Sequence, residues 1–218
     1  SITIVLLILT PAFASGDVYI PDHEYVGFYD HDGVYTVIGG VKNTEMYPVI
    51  PTVSVSVNDH DYIFSDEYGL SPIMPAQMLP MKIKLPQITS ENPTLGPPKI
   101  SFEITEYKFQ GGYVLYDDSL ILHDDGRMTG KIKNAGEQTF ENFRIYALIK
   151  DKNENILDVA SSQKFDLMKP GDTLDFEMIP HPKIADKINL YSCFAFGEAE
   201  IFPLNAERNG EQYTFRYE

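Results

Sequence analysis

The chain is predicted to be all-β, two immunoglobulin-like β-sandwiches in tandem, on three observations. The strand-favouring residues Val, Ile, Tyr, Phe and Thr recur in short blocks with a period of two, which places alternate side chains on one face. Pro (15) and Gly (15) punctuate those blocks, as turns do between short strands. The blocks recur in the same order about 90 residues apart, which is the mark of a duplicated module.

The duplication is read from five pairs of segments. Asp30-His31-Asp32-Gly33 echoes His123-Asp124-Asp125-Gly126. Gly39-Gly40-Val41-Lys42-Asn43 echoes Gly130-Lys131-Ile132-Lys133-Asn134. The strand Val53–Val57 answers to Phe143–Ile149, and each ends near a polar turn, Asn58–Asp61 in one and Lys150–Asn155 in the other. Ile73–Ile83 parallels Met168–Met178, a Pro-led turn before an alternating strand. Lys99–Ile104 parallels Ile188–Phe194.

The second copy is the more regular. Phe143, Ile145, Ala147 and Ile149 alternate with Arg144, Tyr146 and Leu148, so the first set belongs to the core face. Lys169-Pro170-Gly171-Asp172 is a turn in which Pro presets φ and Gly frees the backbone. The first copy carries Pro48, Pro51, Pro72, Pro75, Pro80, Pro86 and Pro93. A proline cannot donate to a ladder, so these segments are expected at edges or in loops. The domains expected are 15–110 and 111–218, with the boundary near Phe109-Gln110-Gly111-Gly112.

Ahead of them, Ile2–Leu9 is an apolar run followed by Ala12-Phe13-Ala14. An apolar stretch before a small-x-small site reads as a secretory signal peptide over residues 1–14, cut short at its start. The run is too short for a membrane-spanning helix, which needs about 20 residues. A buried first strand is the competing reading. Export implies an extracellular or cell-surface protein with no integral membrane span in the mature chain.

The formal charge is -15. Nucleic acid would be repelled, and no Lys/Arg stripe offers an exception. The lone Cys193 allows no intrachain disulfide, and it sits in an apolar alternating run as a small core residue. A thiol nucleophile would need a nearby His in a polar setting, and the nearest in sequence, His181, lies in a Pro-flanked loop.

Four histidines stand beside acids: His23, His31, His60 and His123. Such pairs can bind Zn, Cu or Mn, but neighbours in an extended chain point in opposite directions. They are read as turn residues unless two loops converge, and no residue is assigned to a metal, a cofactor or catalysis. Tyr25, Phe28, Tyr29, Tyr35, Tyr62 and Tyr68 could make a glycan-stacking platform or simply pack. The hydrolase and phosphate-loop motifs are missing from the sequence.

The segments Gly130–Gly136, Phe143–Asp151 and Leu167–Phe176 together resemble an FxLyD-type domain: strand, Asn turn, strand ending in an acid, then Leu-x-Pro-Gly and an alternating strand. The resemblance covers about 113–197, and in weaker form 25–107, where Pro75-Ala76 replaces Pro-Gly. It implies an immunoglobulin-like sandwich in an exported or surface protein that serves as a spacer or protein-binding module, with no common enzyme activity. The function expected is therefore a non-catalytic surface module making protein–protein contacts, possessing no cofactor. The alternative is a metal- or glycan-binding carrier.

Overall fold

A computed structural model describes residues 17–64, 72–106, 114–116, 120–196, 204–209 and 212–217. The apolar run with its small-x-small site and the glycines at 111 and 112 lie outside them. The strands of the N-terminal half are β1 (Val18–Tyr19), β2 (Tyr25–Tyr29), β3 (Tyr35–Asn43), β4 (Val49–Val57), β5 (His60–Ile63), β6 (Met78–Leu85) and β7 (Lys99–Ile104). Those of the C-terminal half are β8 (Val114–Tyr116), β9 (Ile121–Leu122), β10 (Met128–Asn134), β11 (Phe140–Lys150), β12 (Ile156–Ser161), β13 (Phe165–Met168), β14 (Thr173–Met178), β15 (Leu190–Phe196), β16 (Leu204–Asn209) and β17 (Gln212–Tyr217). Two short 3-10 turns, Asp22–Glu24 and Pro182–Lys187, are the only helical elements among the described residues. The all-β class follows directly.

Strand pairing repeats between the halves. β3 pairs with β6 as β10 pairs with β14. β4 lies between β5 and β7 as β11 lies between β12 and β15. The remaining strands of the two outer positions, β1 and β2 or β8 and β9, border β3 or β10. All pairs are antiparallel, so tight turns suffice to connect many of them. β4 turns into β5 through Asn58 and Asp59, both at positive φ (51° and 61°), a two-residue hairpin suited to Asn and Asp.

Each half closes its own core between two sheets. Val37, Val41, Val53, Val55 and Met81 meet in the first. Ile132, Ile145, Ala147, Phe176 and Tyr191 meet in the second, beside Phe143 stacked on Phe165 with centroids 4.9 Å apart. Period-two burial along β4 and β10 follows the sequence alternation. β11 departs from it instructively. Phe143, Ile145, Ala147 and Ile149 face the second core, whereas Leu148 is fully buried in the first. Ile156 and Val159 of β12 join it there. The outer face of the β3–β6 sheet thus packs on the outer face of β11–β12, and four sheets stack in series.

One proline corrects the edge-or-loop expectation. Pro51 stands inside β4, the central strand of its sheet. The Val49 and Val53 carbonyls on either side accept bonds from the Ile73 and Phe64 N–H groups. Pro51 points to that same side, in the gap between these partners, where no donor is required. Pro80 meets the expectation: it lies opposite Gly40 in β6, which among the described residues pairs only with β3. The Asn43 N–H donates to the Gln77 carbonyl, which fixes the register so that the Pro80 nitrogen faces away from β3.

Candidate functional site

The junction between the halves gathers most of the chemistry. Asp158 of β12 is buried, and its Oδ1 accepts from Lys82 Nζ of β6 at 2.8 Å. Its Oδ2 accepts from the His181 backbone N–H at 2.8 Å. Lys82 also donates to the Val159 carbonyl at 3.0 Å. One carboxylate therefore ties a strand of the first half to a strand and a loop of the second. A second tie is Lys150 of β11, which donates to Glu24 Oε1. Glu24 is buried, and Lys42 stands 3.4 Å from the same oxygen. Gly40 makes room: a Cβ there would lie 3.0 Å from Glu24 Oε2. Among the described residues Glu24 Oε2 has no hydrogen-bond partner.

Two clefts open on the junction. The larger, about 840 Å³, runs along Tyr62, Ile83, Lys84, Arg144, Tyr146 and Ser161. The smaller, about 410 Å³, is lined by Phe28, Asp30, His31, Arg127, Pro180 and His181. His31 and His181 meet edge to face across it with centroids 5.4 Å apart, and Phe28 meets His181 at 6.3 Å. Asp30 is buried at its rim. Burial alone would raise its pKa. The Val34 N–H, Lys84 Nζ at 3.0 Å and the Asp32 N–H outweigh that and bring it down to about 2.

The acid-flanked histidines do not converge on one another. His31 Nε2 lies 3.3 Å from Asp32 and faces His181, a partner 150 residues away that no local pattern signals. His23 sits in the first 3-10 turn, which brings its ring within 3.8 Å of Glu24 despite their adjacency in sequence. His60 meets its own hairpin at the Asn58 carbonyl, 2.9 Å away. His123 meets Thr129 Oγ1 at 2.8 Å. Among the described residues no group of three or more His, Cys, Asp and Glu side chains could hold a metal ion. Cys193 is fully buried with its thiol pushed up by burial, and its Sγ lies 3.7 Å from Met128 Sδ.

The aromatic residues divide between faces. Tyr35 is in the core, and Tyr29 beside it donates to the Ser90 carbonyl. Tyr25 is half-buried and its hydroxyl, without a hydrogen-bond partner among the described residues, is pushed up by burial. Phe28 and Tyr62 line different clefts. Tyr68 lies outside the described residues.

A separate surface at one end of the N-terminal half exposes apolar side chains. Met46 (65%), Tyr47 (51%), Tyr19 (40%) and Ile104 (60%) are all open to solvent. Hydrogen bonds bring their segments together, with Tyr19 facing the junction side beside Lys42 and Ile104 the core side beside Val49. Val18 and Tyr19 pair with Asn43 and Lys42, Asn43 Nδ2 donates to the Tyr47 carbonyl, and the Thr105 N–H donates to the Pro48 carbonyl. Among the described residues no helix is long and apolar enough to cross a membrane.

No protein-family model matches the chain, and no curated protein matches it. Among solved structures, a calcium-binding mutant of Bacteroides uniformis beta-glucuronidase 2 overlaps 91% of this chain and 28% of that one, at 10% identity and a TM-score of 0.24. A beta-glucuronidase from glycoside hydrolase family 2 overlaps 92% of this chain and 25% of that one, at 10% identity and a TM-score of 0.22. The chain spans about a quarter of the length of these enzymes.

Proposed function

We propose that the chain is a non-catalytic, exported pair of immunoglobulin-like modules, 15–110 and 111–218, that makes protein–protein contacts outside the cell or at its surface. The FxLyD-like pattern of the second copy and the apolar run at residues 2–9 support this reading. The observation that carries it is the exposed set Met46, Tyr47 and Ile104 at one end of the first half. Grouped apolar side chains on an otherwise strongly acidic surface are what a protein-contact site presents. Buried ties at the junction support a role as a stiff accessory or structural part of a surface assembly.

The test is crosslinking of the chain to the surface fraction of its own cells, beside a variant carrying Met46→Ser and Tyr47→Ser. A discrete crosslinked partner that disappears with the variant, while circular dichroism stays unchanged, is the expected result. Equal crosslinking by both proteins would sink the reading. A second reading, glycan binding, draws on the rings of Phe28, His31 and His181 beside Asp30 and Arg127 in the smaller cleft. Calorimetric titration with surface polysaccharide, compared between the native chain and His181→Ala, decides it.

A further inference from the structure

We propose that the outer edge of β7 accepts an extended strand from a partner polypeptide, antiparallel and apolar at every second position. The proposal rests on the protein-contact reading and names its site. One edge of β7 pairs with β4 from Lys99↔Ser54 to Ile104↔Val49. Because the Thr105 N–H donates to the Pro48 carbonyl, the backbone groups of Lys99, Ser101 and Glu103 also turn toward β4. Those of Ile100, Phe102 and Ile104 turn the other way, since successive residues of a strand alternate. Among the described residues no strand pairs with that side.

The repeat shows how such an edge is closed. β15 takes the place of β7 in the second half, and β16 pairs with its far side over Leu190–Cys193, followed by β17. The first half has the same central and flanking strands without that addition among the described residues. Several usual protections of an open edge are also missing from β7, whose one exposed charge without a tie among the described residues is Glu103. It contains no proline, its register with β4 is unbroken, and its one lysine, Lys99, is tied to Asp61.

Side chains define the occupant. Ile100 and Phe102 are only half-buried against the first core and Ile104 is 60% exposed. These three point to the core side, and Lys99, Ser101 and Glu103 to the outer side. An incoming strand with apolar residues at alternate positions would cover the first set and leave polar residues beside the second. Backbone bonds supply affinity and the alternation supplies specificity, as in strand addition generally.

The experiment follows amide hydrogen exchange of the full chain, residue by residue, with and without the synthetic peptide Lys-Val-Thr-Val-Thr-Ile-Lys. The control peptide has the same composition with its apolar residues contiguous. In the free chain the amides of Ile100, Phe102 and Ile104 should exchange at least about tenfold faster than those of Ser101 and Glu103. The alternating peptide should slow those three, and the control should not. Ile104→Pro removes an outward N–H while sparing the β4 ladder, and should abolish the effect; Ile104→Lys serves if the proline variant fails to fold. Full protection of the three amides in the free chain would mean that the chain's own residues close the edge, and would overturn the proposal. Protection that rises with chain concentration alongside dimer formation would assign the edge to a second copy and overturn it equally, as would an unchanged pattern with the alternating peptide. A crosslinked partner lost with Tyr47→Ser but retained by Ile104→Pro would leave the protein-contact reading standing and sink strand addition alone.

Discussion

Asn43 and Asn134 end equivalent strands and do the same work. Asn43 Nδ2 donates to the Tyr47 and Ile73 carbonyls, and its Oδ1 accepts from the Glu45 N–H. Asn134 Nδ2 donates to the Gln138 and Met168 carbonyls, and its Oδ1 accepts from the Gly136 N–H. Only an amide offers two donors and an acceptor in that shape. Both are buried, so Asn134→Ala should cost about 2 kcal/mol by leaving carbonyls without a partner, read as a lowered denaturation midpoint at unchanged slope. The asparagine that marked the repeat in the sequence thus has a structural cause. Asp30 gives a pH-dependent counterpart. Its carboxylate titrates lower in the folded chain than in the unfolded one, so its contribution is complete above the ordinary carboxylate range near 4 and is lost as pH falls toward about 2. Asp30→Ala should therefore cost about 1–3 kcal/mol at neutral pH. Its urea midpoint should converge on that of the native chain as the buffer is taken down through that window. A gap that persisted at the acid end would show that the side chain matters for packing rather than for charge.

At the scale of elements, the turn before β6 carries an alanine where its equivalent before β14 carries a glycine. Ala76 adopts φ 63° where Gly171 adopts φ 83°. Each donates its N–H to the paired asparagine's carbonyl, Ala76 to Asn43 and Gly171 to Asn134. A Cβ in that left-handed region costs about 1 kcal/mol. Ala76→Gly should relieve it and raise the melting temperature by about 2–4 °C, and Gly171→Ala should lower it by a similar amount. A calorimetric scan of both variants checks the sign, and a fall for Ala76→Gly would refute the account. The alternation of Phe143, Ile145, Ala147 and Ile149, the Pro-led turns and the burial of Cys193 were legible because each depends on local pattern. Leu148 was not. Its burial is set by a sheet packing from the other half, which leaves no period in β11. Glu24 and Asp158 look like surface acids in sequence and are buried only because Lys150 and Lys82 reach them across the junction. The meeting of His31 with His181 escapes for the same reason. Pro51 was misplaced because its tolerance depends on a gap between the Ile73 and Phe64 contacts, not on its own strand.

For the whole molecule, the consequence is coupling between the halves. Two sandwiches joined only by a loop would unfold independently, whereas here Leu148, Ile156 and Val159 complete the core of the other half. Burial of these side chains is worth about 1.5–3 kcal/mol each, and the Glu24–Lys150 and Lys82–Asp158 pairs cross the same joint. A buried pair contributes little over an apolar substitute, but breaking it by removing one partner costs about 3–5 kcal/mol. Lys42 beside Glu24 offsets part of that, so Lys150→Met should fall at the lower end. The native chain should then unfold in a single transition, with calorimetric and van't Hoff enthalpies in agreement. Leu148→Asp places an unpaired charge in the joint while leaving the inward residues of β11 untouched. It should split the transition into two, the first half melting earlier because it loses the residues that finish its core. If Leu148→Asp instead lowers one undivided transition, the two halves share a single cooperative core; if the native chain already shows two, the stacked outer faces of β3–β6 and β11–β12 contribute no coupling at all.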